Sequence, residues 1–255
     1  MKNNIAISAL SVAPDITLYH TGPCLDFGPL PSLFYLALSG PDSLTLDPYN
    51  QPIQFLRGKM IRIFSLTLPG HENGLAAKDA LKVWAEDLFY GRNCIENFLD
   101  QAEQAVAFAI RERFIAPDKM AIAGLSRGGL FAFHLASRLE QFRFILAFAP
   151  ITKLNKAKEF EALQEHPVVK NLDAEALTEN LCDRHIRFYI GNDDTRVGTH
   201  SCFDFAMSLV AMAHRKKIRP PQVELFITPS IGHMGHGTSP EIFSQGAHWI
   251  ADVLK

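Results

Sequence analysis

The sequence predicts an α/β fold, with a mostly parallel sheet flanked by helices and one small helical insert. Three observations carry this expectation. Short apolar runs alternate with amphipathic segments along most of the chain, as strand–helix–strand units require. These runs stop at turn residues such as Ser39-Gly40-Pro41 and Leu68-Pro69-Gly70. The amphipathic segment from Cys94 to Phe114 repeats apolar residues at three- and four-residue steps, the period of a helix with one buried face.

The elements follow in order. Leu33 to Leu38 is rich in aromatic and branched residues and reads as a buried strand. The turn-rich stretch around Asp47-Pro48-Tyr49-Asn50 reads as a loop, and Met60 to Leu66 as a second strand. In the Cys94–Phe114 segment, Ile95, Phe98, Leu99, Ala102, Val106, Ala109 and Ile110 form the buried stripe, and Ala116-Pro117-Asp118 breaks it. Met120 to Ala123 is a very short apolar run, followed by small residues and an apolar helix from Leu130 to Leu139. Phe144 to Phe148, Ile186 to Ile190 and Val223 to Ile227 complete the strands, with a helix from Cys202 to His214 between the last two. Residues 151–181 carry interspersed Lys and Glu and read as a helical lid insert. Thr238 and Glu241 have capping-box spacing, with Pro240 in the first turn of a C-terminal helix. No repeat, linker or low-complexity segment divides the chain, so residues 1–255 are expected to form a single domain.

Composition narrows the function. The chain has 255 residues, is 47% hydrophobic and 20% charged, and carries a formal net charge of -2. That balance offers no field for nucleic acid or an anionic membrane. The cysteines Cys24, Cys94, Cys182 and Cys202 form no C-x-x-C pair, which speaks against a zinc ribbon or a redox motif and for reduced thiols in a cytoplasmic protein. No segment has the apolar length of a membrane span, and the N-terminal residues make a poor signal sequence. His71-Glu72 begins like H-E-x-x-H, but Leu75 stands where the second histidine belongs. Neither a cofactor nor a metal is expected.

The chemistry concentrates at three places. Gly124-Leu125-Ser126-Arg127-Gly128 places a serine between glycines, directly after an apolar run and directly before a helix. On a tight strand-to-helix turn such a serine stands above the sheet edge, where the helix N-terminus offers unpaired N–H groups to an anion. A serine hydroxyl needs a base to become nucleophilic, and the base needs a third group to orient it. Gly191-Asn192-Asp193-Asp194 follows a strand and supplies the acid, with Asp194 preferred to Asp193. An Asx-turn is the competing role for both aspartates. Pro229-Ser230-Ile231-Gly232-His233-Met234-Gly235-His236 follows the last strand and supplies the base. His233 is preferred, being preceded by Gly232 at a short distance from Pro229, and His236 is the alternative. Read as a His-x-x-His metal pair, the two lack a third ligand at an evident spacing.

The Gly-Leu-Ser-Arg-Gly-Gly turn, the spacing of Gly191, Asp194 and Val197, and the Gly-His pair resemble the α/β-hydrolase superfamily from about Leu33 to the C-terminus. The turn and Asp194-Thr195-Arg196-Val197 look like its prolyl-oligopeptidase-like and esterase branches. The resemblance implies a serine hydrolase cleaving an ester or thioester of a small acyl substrate through Ser126, a histidine and Asp194, by way of an acyl-enzyme. Its alternatives are a prolyl-oligopeptidase-like peptidase, an acyltransferase, or a binding module that has lost efficient chemistry. One departure stands out. Where the family carries His-Gly after its third strand, this chain has Ser39-Gly40-Pro41, and Pro41 has no N–H to give. The oxyanion donors are then expected at the amide of Arg127 and at Gly40, Asp42, Ser43 or a side chain. The Arg127 side chain is either a fork for a substrate carboxylate or phosphate, or a surface arginine.

Overall fold

The computed structural model describes residues 5–72 and 75–255. Eight strands form one sheet: β1 (Ser8–Ala13), β2 (Ile16–Thr21), β3 (Leu30–Leu36), β4 (Arg62–Ser65), β5 (Ile115–Leu125), β6 (Phe142–Phe148), β7 (His185–Gly191) and β8 (Val223–Thr228). Their spatial order is β1-β2-β4-β3-β5-β6-β7-β8. From β4 to β8 every pairing is parallel, and the β1–β2 hairpin adds antiparallel to β4. The sheet flanked by helices is therefore as expected. The N-terminal hairpin was not foreseen, because Ser8–Ala13 is short and mixed in polarity.

Nine α-helices lie among the described residues: α1 (Gly40–Thr45), α2 (Gln51–Phe55), α3 (Ala80–Phe89), α4 (Cys94–Arg111), α5 (Arg127–Arg138), α6 (Pro167–Asn171), α7 (Thr178–Leu181), α8 (Thr199–Arg215) and α9 (Pro240–Val253). Alternation along the strands feeds two cores. Phe34, Leu36, Ile122, Ile145 and Ala147 face one side, where Trp84 of α3, Phe98 of α4, Phe131 of α5 and Phe205 of α8 pack. Leu33, Tyr35, Ala121, Ala123 and Leu146 face the other, against Leu44 of α1, Ile53 of α2 and Phe243 and Ile250 of α9. The C-terminal stretches of β3, β5 and β6 are buried on both faces, which is why Leu33 to Leu36, Met120 to Ala123 and Phe144 to Phe148 read as unbroken apolar runs rather than alternating ones.

Several boundaries move for identifiable reasons. β3 stops at Leu36, before Leu38, because the amides of Ala37 and Leu38 donate to Ser43 Oγ instead of a neighbouring strand. β5 begins at Ile115, well before Met120. Leu30 pairs with Ile115 and Ser32 with Met120, so β5 bulges over the intervening residues and accommodates Pro117, which has no N–H to pair. α9 is capped by Ser239, whose hydroxyl accepts from the Ile242 amide, one residue later than the Thr238 capping box. The expected loop at Asp47–Pro52 holds the start of α2. Residues 151–181 form a chain of short 3-10 and α-helical turns, anchored by the buried side chains of Leu154, Phe160 and Val169. Among the described residues no helix is long and apolar enough to cross a membrane.

Candidate active site

Ser126 sits between the last residue of β5 and the first of α5, with φ 54° and ψ −113°. That left-handed backbone is strained for a residue with a side chain and persists only where surroundings enforce it. Here they do. The Ser126 amide donates to Phe148 O at 2.8 Å, and its carbonyl accepts from Gly129 at 3.0 Å and Ile151 at 3.1 Å. A Cβ at Gly124 would collide with the Gly128 carbonyl, and one at Gly128 with the Leu36 carbonyl. The two glycines are required because strand and helix cross there backbone to backbone.

Asp194 lies in the loop after β7, its side chain fully shielded from solvent. Oδ1 accepts from the amides of Arg196 and Val197, both at 3.0 Å. This is the Asx-turn weighed in the sequence, and it leaves Oδ2 free for another partner. That partner is His236: its Nδ1 lies 2.8 Å from Asp194 Oδ2, and its Nε2 lies 2.9 Å from Ser126 Oγ. Asp193 is exposed, and its amide donates to Ser230 Oγ.

The preference for His233 is corrected by this geometry. The loop after β8 makes an additional tight turn before its histidine arrives. Met234 takes φ 55°, its carbonyl accepts from the Thr195 amide at 3.0 Å, and the His236 amide donates to His233 O at 3.0 Å. Gly235 passes so close to the Asp193 carbonyl that a Cβ there would collide. His233 is thereby turned outward and exposed, and His236 is carried over Ser126. The signal available in the sequence was the second Gly-His pair, Gly235-His236.

Two of the expected oxyanion donors are also corrected. The Gly40 amide donates to Thr67 Oγ1 at 3.0 Å, and the Asp42 amide to Ser39 Oγ at 3.2 Å. Ser39 caps α1, and Pro41 occupies its first turn, where a missing N–H costs nothing. Neither Gly40 nor Asp42 borders the cavity at Ser126. The amide of Arg127, at the open N-terminus of α5, makes no hydrogen bond among the described residues. The cavity holds about 350 Å³ and is walled mainly by Ala37, Leu38, Pro48, Tyr49, Ile231 and Phe243.

The Arg127 side chain is half-buried, not a surface arginine. Its Nη1 donates to Ala77 O at 2.6 Å and approaches His71 Nε2 at 3.1 Å. Burial, and then the Arg127 cation, lower the pKa of His71 to about 4, so a neutral ring accepts the bond. Burial and the Arg62 cation act likewise on His20, also to about 4. Unfolding restores an ordinary histidine near 6.5, so below that pH the unfolded chain binds more protons than the folded one. Stability carried by these rings is complete above pH 6.5 and is lost as pH falls towards 4. Urea midpoints are expected to drop across that window, and less steeply in His71→Gln, which keeps an acceptor for Arg127 without a titrating ring. An equal slope in the variant would remove His71 from this account. No cluster of three or more metal-ligating side chains exists among the described residues.

A strand-to-helix serine elbow on a largely parallel eight-stranded sheet defines an α/β-hydrolase. Residues 83–255 match the prolyl oligopeptidase family, and the chain belongs to that family of serine hydrolases. Solved structures share the fold at low identity. TT1662 from Thermus thermophilus is 15% identical, with 99% of each chain covered and a TM-score of 0.69. A Klebsiella pneumoniae protein assigned to the dienelactone hydrolases is 14% identical, with 99% of each chain covered and a TM-score of 0.67. Prolyl oligopeptidase B from Galerina marginata is 19% identical, with a TM-score of 0.66; 98% of this chain covers 36% of that one. No match to a curated protein was found.

Proposed function

We propose that the protein cleaves an ester or thioester of a small acyl substrate through Ser126, His236 and Asp194. The observation that carries this is the bridging position of His236, within hydrogen-bond reach of both Ser126 Oγ and Asp194 Oδ2. Ser126 Oγ attacks the carbonyl carbon as His236 Nε2 takes its proton. Asp194 holds the imidazole by Nδ1–H and stabilises the imidazolium. The Arg127 amide and the positive end of α5 face the oxyanion. His236 then returns the proton to the departing alkoxide or thiolate, and water repeats the sequence on the acyl-enzyme. Residues 151–181 act as a partial cap over this site.

A peptidase is the second reading, favoured by the family match. The chain spans only about a third of prolyl oligopeptidase B. Two measurements separate the readings. A fluorophosphonate probe is expected to label the wild type and not Ser126→Ala. Wild type not exposed to the probe is expected to release p-nitrophenol from a short-chain ester but not p-nitroaniline from a prolyl anilide. Faster cleavage of the anilide would make the protein a peptidase. Absence of labelling in folded wild type would make it a non-catalytic module.

A further inference from the structure

A second, smaller cavity opens from Ser126, bordered again by Arg127 and His236. The two cavities differ in character. The first is walled mainly by apolar side chains. The second brings together Arg127, Lys153, Lys156 and Arg196, and among the described residues no carboxylate borders it. Two of these cations are paired behind the wall, Arg196 with Glu159 at 2.8 Å and Lys153 with Glu175 at 3.2 Å. Arg127 and Lys156 have no carboxylate partner among the described residues. Arg127 spends Nη1 on Ala77 O and His71, which fix the guanidinium in place, while its Nε and Nη2 donate to no group among the described residues. Burial, then the neighbouring Arg196 cation, weaken its hold on its proton, and the Glu159 carboxylate that pairs with Arg196 offsets them only in part. Like charges gathered at a partly desolvated wall repel unless an anion joins them.

The size of the space limits that anion. It measures about 50 Å³. One bound water needs about 10–15 Å³ of such space, so there is room for a group as small as a carboxylate. A planar carboxylate also matches the free edge of a guanidinium.

We propose that the substrate is an anionic ester whose own carboxylate binds Arg127 and Lys156 in this cavity, while its apolar part occupies the larger one. This rests on the hydrolase reading above. Because both cavities meet at Ser126, the carboxylate lies only a few bonds from the scissile carbonyl. Substrates of this class are half-esters of dicarboxylic acids, with the charge on the acyl side, or acyl esters of hydroxy acids, with the charge on the leaving group.

The test compares kcat/KM within charge-matched pairs. For the acyl side the pair is monophenyl glutarate and its neutral amide, phenyl glutaramate. For the leaving-group side it is carboxymethyl butyrate and carbamoylmethyl butyrate. In wild type, one pair is expected to favour the carboxylate by tenfold or more, which identifies the side. In Arg127→Gln and in Lys156→Gln that ratio is expected to fall towards one. The ratio is internal to each variant, so a general loss of serine reactivity cancels from it. Equal or better turnover of the neutral member in both pairs overturns the anionic substrate and leaves the hydrolase reading standing. A ratio that survives both substitutions overturns the assignment to these side chains. Wild type that neither turns over any of the four esters nor takes the fluorophosphonate overturns the hydrolase reading, and this inference with it.

Discussion

His236→Ala is expected to lower kcat/KM on a p-nitrophenyl ester by about 10⁴-fold or more, whereas His233→Ala changes it by less than about twofold. The contrast is large because the two residues are only three positions apart yet meet different surroundings. His236 Nε2 is 2.9 Å from Ser126 Oγ, so its removal leaves the hydroxyl without a base. His233 is exposed and outside both cavities at Ser126. The His236 variant also leaves Asp194 Oδ2 buried without its partner, at a cost of about 1–3 kcal/mol in stability. Oδ1 keeps its two amide donors, so the loop retains its anchor. Activity and urea unfolding measured on both variants check the pair. Loss of activity in His233→Ala with retention in His236→Ala would reverse the assignment.

How much of this was legible in the sequence depends on how local each determinant is. The elbow is a local device: strand, glycine, serine, glycine and helix are contiguous, and the structure places Ser126 where those residues suggested. Asp194 needed only the strand Ile186–Ile190 and its following loop, and the Asx-turn competing for it proves compatible, since one carboxylate has two oxygens. The choice of histidine was different. It turns on how a glycine-rich loop closes over another loop, and Met234 O bonding to Thr195 is a contact across 39 residues. Neither the positive φ at Met234 nor the close passage of Gly235 by Asp193 is encoded in spacing from Pro229. Gly40 and Asp42 failed as oxyanion donors for a related reason. Ser39-Gly40-Pro41 aligned with a strand-end motif, but Ser39 and Asp42 made a local helix cap and Thr67, on another loop, took the Gly40 amide. The cationic cavity was out of reach altogether. Its wall draws on α5, the 151–181 insert and the loop after β7, and only the fold brings those stretches to one serine.

Asp194→Asn is expected to lower kcat/KM by about 10⁴-fold with little loss of stability. An amide in the same place can present its oxygen to the Arg196 and Val197 amides, as Oδ1 does now at 3.0 Å. That bonding turns the NH₂ group towards His236 Nδ1, which must then accept a hydrogen bond instead of donating one. The ring is forced into the tautomer with its proton on Nε2, and Nε2 is the atom that faces Ser126 Oγ. A base already protonated at the reacting atom cannot take the serine proton, and a neutral amide does not stabilise an imidazolium. The shape of the site persists while its proton chemistry is lost. Asp194→Ala should behave differently, losing both activity and the anchor of the loop, so its urea midpoint falls where that of Asp194→Asn does not. Activity within tenfold of wild type in a well-folded Asp194→Asn would mean that another group orients His236, and the exposed carboxylate of Asp193 would be the next to replace.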